Sequence, residues 1–251
     1  MEEKSRCIVL RTVKYSDNKL IADLLCRECG RLSVLLPFNE VRGGGRGRKR
    51  SGAMGGGAWR RFFQPLTILE VDVSANAKQS LARVNDARIG VVYSSLPFDG
   101  AKLSLAFFVA EFLCYSTRDL HCDHVLYDFV ERSLVWLDTA DKGISNFHLM
   151  FMMRMSRFLG FYPDMESFSV GSFFDLREGC FTSYAPCHHD FLHPEDAERI
   201  VMLMRMTPGN CHLFRMTREE RNRVTDVCLL FYRLHIPAFG VMKTLDVLRA
   251  L

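Results

Sequence analysis

From Val41 to Leu69 the chain has no Asp or Glu, yet it carries Arg42, Arg46, Arg48, Lys49, Arg50, Arg60 and Arg61 among eight glycines. Glycine at that density opposes both a helix and a regular strand, so any fold must accommodate a long irregular excursion here. Solvating linkers mix both signs of charge or use Ser, Pro and Glu. A run of one sign is suited to a polyanion.

The overall balance hides this asymmetry. Residues 1–80 hold 15 Lys and Arg against 8 Asp and Glu, a net of +7, whereas residues 81–251 hold 18 against 21, a net of −3. A basic N-terminal part on a mildly acidic body predicts one domain that meets nucleic acid and one that builds a scaffold or meets proteins.

No apolar run reaches the roughly 18–20 residues that span a bilayer, because Glu111, Arg154 and Arg157 interrupt the longest ones, so no membrane association is expected. Met1–Arg6 is charged with both signs and does not read as a secretory leader. Nine cysteines without regular spacing then predict reduced thiols and a cytoplasmic protein.

Short β-prone stretches fill the first part of the chain: Cys7–Val13, Ile21–Cys26, Arg31–Leu36 and Leu66–Val73. Turn chemistry at Ser16-Asp17-Asn18 and Cys29-Gly30 separates the first three, and the last alternates apolar and polar residues with period two over its second half. Four or five short strands fit a small antiparallel barrel of the OB type, which binds single strands with a basic groove and aromatic faces. Trp59 and Phe38 are the stacking candidates; Phe62 and Phe63 read as packing residues.

Beyond residue 80 the pattern is helical. Leu103, Ala106, Phe107, Ala110 and Cys114 mark one amphipathic helix, and Leu126, Phe129, Val130 and Leu137 a second. A third is expected over 146–159. Thr217 with Glu220 forms a capping box before Val224, Val227, Cys228 and Phe231, and 241–251 reads as a last short helix. Between them, Phe161–His193 reads as an inserted hairpin with strands Phe173–Leu176 and Cys180–Tyr184.

Several fragments share an order and spacing. Ile8-Val9-Leu10-Arg11-Thr12, Tyr15-Ser16-Asp17, Arg27-Glu28-Cys29-Gly30-Arg31-Leu32-Ser33-Val34-Leu35, Gln64-Pro65-Leu66, Leu159-Gly160-Phe161-Tyr162-Pro163 and Phe174-Asp175-Leu176-Arg177-Glu178-Gly179 together resemble the RecO family of bacterial DNA repair proteins over essentially the full chain. The resemblance implies an α+β protein: a five-stranded OB-fold barrel over 1–80, with the basic arm at 41–61, then an all-α domain over 81–251. The insert at about 161–193 would be a degenerate zinc-finger-like hairpin. It also implies a recombination mediator, not an enzyme, that binds single- and double-stranded DNA and anneals complementary strands. Its implied partners are RecR, which helps it load RecA, and the C-terminal tail of the single-strand-binding protein SSB. The nucleic-acid-binding candidates are Arg11, Arg42, Arg46, Arg48, Lys49, Arg50, Trp59, Arg60 and Arg61. Arg154 and Arg157, beside the apolar stripe Phe147, Met150, Phe151 and Phe158, are candidates for receiving an acidic, Phe-ended tail.

Zinc-bearing relatives carry Cys-x-x-Cys-Gly where this chain reads Ser167-Phe168-Ser169-Val170-Gly171. Ser and Val supply no thiolate for a tetrahedral site. A rebuilt site from Cys180, Cys187, His188 and His189 is the weaker expectation. The stronger is no cofactor, with the hairpin held by Phe168, Phe173, Phe174 and Phe181. The alternative function, a metal-dependent nucleic-acid enzyme or an RNA-binding OB-fold protein, would need that rebuilt site. Cys26-x-x-Cys29 has redox or zinc-pair spacing without a second pair, so two thiols are expected there. His121, Cys122 and His124 read as an interhelical turn. No Walker loop, nucleophile elbow or metalloprotease motif is present.

Overall fold

Five strands close on themselves in the N-terminal part: β1 (Glu2–Ser16), β2 (Lys19–Cys26), β3 (Gly30–Pro37), β4 (Ile68–Ser74) and β5 (Ala82–Ile89). Their order is β1-β2-β3-β5-β4, with β4 pairing back on β1 and only β3–β5 parallel. This is the OB-fold barrel. The computed structural model describes residues 2–37, 61–74 and 81–250.

Alternation selects the barrel's interior. Cys7, Val9, Leu20, Ala22, Leu24, Cys26, Val34, Leu36, Leu69, Val71, Val73, Ala82, Val84 and Ala87 form one buried cluster, which Phe63 joins. Three register shifts break the period of two, one of them at the end of β1 between Lys14 and Ser16. In β5, Val73 pairs with Val84 while Asp72 pairs with Asp86, so the extra residue Asn85 moves the inward position from Val84 to Ala87. In β1, Val9 pairs with Leu24 and Arg11 with Asp23, leaving Leu10 as the extra residue. The barrel's last strand lies past residue 80, where the sequence placed the domain limit.

The chain divides into two compact units, residues 1–99 with 106–135, and 100–105 with 136–251. The first contains the barrel and most of helices α1 (Gly100–Ser116) and α2 (His124–Thr139). Within it the turn after β2 is seated on the connection between those helices. Gly30 adopts φ +71, and its Cα faces the His121 and Leu120 backbone so closely that an added Cβ would lie 2.6 Å from His121 C. Arg31 N donates to Leu120 O at 3.3 Å, and Arg27 binds Asp128 through Nε at 2.8 Å and Nη2 at 3.2 Å.

The second unit is built on α3 (Phe147–Phe158), nine of whose residues are buried, with α4 (Pro194–Arg205), α5 (Arg218–His235) and the short α6 (Leu245–Arg249). Tyr232 Oη donates to Met152 O at 2.7 Å, tying α5 to α3. The capping box at Thr217 and Glu220 is formed. The insert is a three-stranded sheet of order β7-β6-β8, from β6 (Phe173–Asp175), β7 (Cys180–Thr182) and β8 (Phe191–Leu192). Edge and tilted ring contacts join Phe168 to Phe181 at 5.0 Å and Phe174 to Phe181 at 4.8 Å. Among the described residues no helix is long and apolar enough to cross a membrane.

Candidate nucleic-acid interface

Arg11 owes its direction to the bulge at Leu10. It shares the parity of the inward residues Cys7 and Val9, but the extra residue turns it outward, and Thr12 instead faces core residue Ala22. Its side chain is 55% exposed and its Nε donates to Asp23 Oδ2 at 2.6 Å. Asp23 is also held by Ser33 Oγ at 2.5 Å and by Arg31 Nη2 at 3.3 Å. Burial alone would raise the Asp23 pKa. The hydrogen bonds from Ser33 and Arg11 and the charges of Arg31 and Arg11 outweigh it and hold the carboxyl below its usual range. Two arginines on one carboxylate leave this cluster positive.

Beside Arg11 runs an open groove of about 350 Å³, lined by Arg11, Thr12, Lys14, Leu20, Phe63, Gln64 and Pro65. Its far wall is the chain returning toward β4. Thr12 Oγ1 donates to Phe63 O at 2.8 Å, Leu66 N to Val9 O at 2.6 Å, and Val9 N to Thr67 O at 3.0 Å, so residues 63–67 are bound along β1. Leu66 holds φ 63, a left-handed conformation costly for leucine; full burial and the Tyr93 hydroxyl on its carbonyl at 2.8 Å help hold it there. Arg61 is exposed where this segment begins. The expected stacking and phosphate-binding residues Phe38, Arg42, Arg46, Arg48, Lys49, Arg50, Trp59 and Arg60 lie outside the described residues. Phe62 and Phe63 pack on the barrel core, Phe63 fully buried.

A second hollow of about 340 Å³ sets Lys4, Arg6 and Arg88 against Glu70, Asp72 and Asp86. Equal numbers of each sign give it no attraction for a polyanion.

Arg154 is half-buried on α3, and its Nε donates to Met206 O at 3.0 Å. It forms no ion pair among the described residues; it supports a backbone carbonyl. Arg157 is exposed, with its guanidinium 6.0 Å from the centre of the Tyr162 ring.

The structure does not bring Cys180, Cys187, His188 and His189 together: among the described residues no three His, Cys, Asp or Glu side chains are placed to hold a metal ion. Other bonds occupy the positions. Ser167 Oγ donates to Asp164 O at 2.8 Å and accepts from Phe181 N at 2.9 Å, bracing the strand next to Cys180. His188 Nε2 sits 3.1 Å from Asp175 Oδ2, while Asp175 Oδ1 accepts from Arg177 N at 2.8 Å and Glu178 N at 3.2 Å. These residues do not fit a structural zinc.

Comparison with known proteins decides the family. A model of the N-terminal part of recombination protein O matches residues 1–91, and one of its C-terminal part matches residues 97–244. The chain belongs to the RecO family. It is 41% identical over 251 residues to the DNA repair protein RecO of Phocaeicola vulgatus, covering 100% of this chain and 99% of that one. Its identity to the DNA repair protein RecO of Bacteroides fragilis is 36% over 252 residues, with the same coverage. To that of Flavobacterium psychrophilum it is 28% over 249 residues, covering 99% and 98%. The boundary between the two RecO matches falls just after β5, in agreement with a barrel that ends at Ile89.

Sequence reasoning had missed Asp23, Lys14 and Gln64 as parts of this RecO surface. Asp23 carried a signal, as a lone acid inside the otherwise apolar run Leu20–Cys26.

Proposed function

We propose that the chain is a DNA repair and recombination mediator that binds single- and double-stranded DNA and anneals complementary strands without making or breaking a covalent bond. The observation that carries this reading is the groove at Arg11 and Lys14, whose wall, Phe63–Pro65, is the continuation of the basic 41–61 arm. Annealing needs cations on phosphate and base edges left open to each other. Arg11 and the arm supply the first, and a groove open to solvent permits the second.

If all seven basic residues of the arm meet single-stranded phosphate, the salt slope is about −5, at roughly −0.7 per contact. Replacing Arg46, Arg48, Lys49 and Arg50 by Ala then lowers the slope and weakens binding to all sequences alike. The decisive assay mixes complementary oligonucleotides coated with SSB, with and without chelator. Annealing without nucleotide or metal supports the reading, and annealing abolished by chelator overturns it.

The family resemblance extends the proposal to partners: RecR, with which the chain would help load RecA onto SSB-coated strands, and the SSB tail. Arg154 and Arg157 are candidates for the tail because among the described residues neither pairs with a carboxylate; of the apolar residues on their stripe, Phe147, Met150 and Phe151 are fully buried, and Phe158 is the partly exposed one. Arg154→Ala should lose binding to the tail peptide while remaining folded; undiminished binding would remove Arg154 from the site.

A further inference from the structure

Cys7 and Cys26 stand directly opposite each other on the antiparallel pair β1–β2. Arg27 N donates to Arg6 O at 2.9 Å, the bond that flanks a non-hydrogen-bonded pair, whose Cα atoms sit about 4.5 Å apart. That spacing falls within the roughly 4.4–6.8 Å over which a disulfide closes without moving backbone. The two sulfurs are already 2.6 Å apart. Both residues are sealed in the barrel, at 0% and 1% exposure. Cys29, in the turn that follows, is half-exposed, packs on the edge of the same core and hydrogen-bonds to Cys26. Cys26 thus lies between a buried thiol and one that solutes can reach.

We propose that Cys7, Cys26 and Cys29 form a peroxide-responsive thiol relay, in which oxidation enters at Cys29 and ends as a Cys7–Cys26 disulfide across the barrel's first two strands. The hydrogen bonds of Cys29 and Cys7, with burial, raise the pKa of the Cys26 thiol, so Cys26 is not the group that meets peroxide. The Cys29 thiolate attacks hydrogen peroxide; the O–O bond breaks, an S–O bond forms, and hydroxide leaves to become water. Sulfur is oxidised to a sulfenic acid and peroxide is reduced. The Cys26 thiol then attacks the Cys29 sulfur, forming S–S and releasing the sulfenic oxygen as water with the Cys26 proton. Finally the Cys7 thiol attacks Cys26, and Cys29 leaves as a thiol carrying the Cys7 proton. The sum is two thiols and one peroxide giving one disulfide and two waters.

Trypsin separates the three cysteines onto the peptides Cys7–Arg11, Leu20–Arg27 and Glu28–Arg31. The test treats the folded, reduced full chain with hydrogen peroxide, quenches with alkylating agent, and maps the unreduced digest by mass spectrometry. The expected product is Cys7–Arg11 joined to Leu20–Arg27, lighter by two hydrogens. In Cys29→Ser the same product should form about tenfold or more slowly, because the remaining pair is sealed from oxidant. In Cys7→Ser the bond should stop at Cys26–Cys29. Absence of the Cys7–Cys26 product in the unaltered chain overturns the relay, as does its formation at an undiminished rate in Cys29→Ser. That variant changes only a half-exposed turn position, so its result does not depend on a damaged core.

Discussion

Arg6 grips Glu131 with two hydrogen bonds, Nε to Oε2 at 2.9 Å and Nη2 to Oε1 at 2.6 Å. The pair ties β1 of the barrel to α2, and Glu131 is only 20% exposed. Removing one partner leaves a partly buried charge unsatisfied, which costs more than the pair itself contributes. Arg6→Ala should therefore destabilise the chain by about 1–3 kcal/mol, and Arg6→Ala with Glu131→Ala by less than the two single changes added together. Urea denaturation of the four proteins of the cycle measures this.

Gly30 is a position where no side chain fits. A Cβ there would lie 2.6 Å from His121 C and 2.7 Å from His121 O, and φ +71 is strained for any residue that has one. The neighbour is backbone, which cannot swing aside. Gly30→Ala should cost about 2 kcal/mol or more, from the left-handed conformation and the forced separation together. A drop in denaturation midpoint well beyond that of an exposed Gly→Ala change, such as Gly100→Ala with open space around its Cβ, checks it.

Asp23 gives stability an acid limb. Its folded pKa is below the unfolded value of about 3.9. The contribution is therefore complete above that value and is lost as pH falls from about 4 through the lower folded pKa. Asp23→Asn should be less stable than the parent at pH 7, and the gap should shrink as the pH is taken below about 4. Denaturant titrations at pH 7 and along an acid series measure both stabilities; a constant gap would mean the carboxylate is not held by Arg11 and Arg31.

The hairpin insert should keep its shape under chelation. Ser167 braces β7 through Phe181 N, and Arg177 Nη2 reaches Asp190 Oδ2 at 2.6 Å across the sheet's two turns. Phe174 and Phe181 fill its centre. Incubation with a strong chelator should leave the thermal midpoint unchanged, whereas Phe181→Ala should lower stability by about 3–5 kcal/mol. A midpoint that falls on chelation would overturn the first statement, and a Phe181→Ala protein as stable as the parent would overturn the second.

What was readable in the residues was local. The Thr217-x-x-Glu220 box fixes a helix start from four consecutive residues, and the alternation in Leu66–Val73 locates β4 without knowledge of its partners. The direction of Arg11 was not readable, because it depends on a bulge defined only when β1 pairs with β2. Likewise the contact Arg154 makes was not readable, because its partner is a carbonyl fifty-two residues away, at Met206. Helix α4 was missed although His193-Pro194-Glu195-Asp196 offers proline and two acids in its first turn. Strand β8 has two residues and exists only as a partner of β6.

Arg11 separates the groove from the arm experimentally. Only its Nε is engaged by Asp23, and Asp23 retains Ser33 and Arg31 when Arg11 is gone. Arg11→Ala leaves the buried Asp23 carboxylate with two of its three partners, so it should cost about 1 kcal/mol of stability, the low end of what a buried group loses with one partner. One lost phosphate contact should flatten the salt slope for single-stranded DNA by about 0.7. Because Asp23 sits against Arg11 and its positive companion Arg31 remains, the loss falls at the groove and not along the arm. Combined with alanines at Arg46, Arg48, Lys49 and Arg50, the change should add to theirs if groove and arm contact the same strand independently. Fluorescence anisotropy with a labelled oligonucleotide at several salt concentrations reads the slope, and a slope unaltered in Arg11→Ala would remove the groove from the interface.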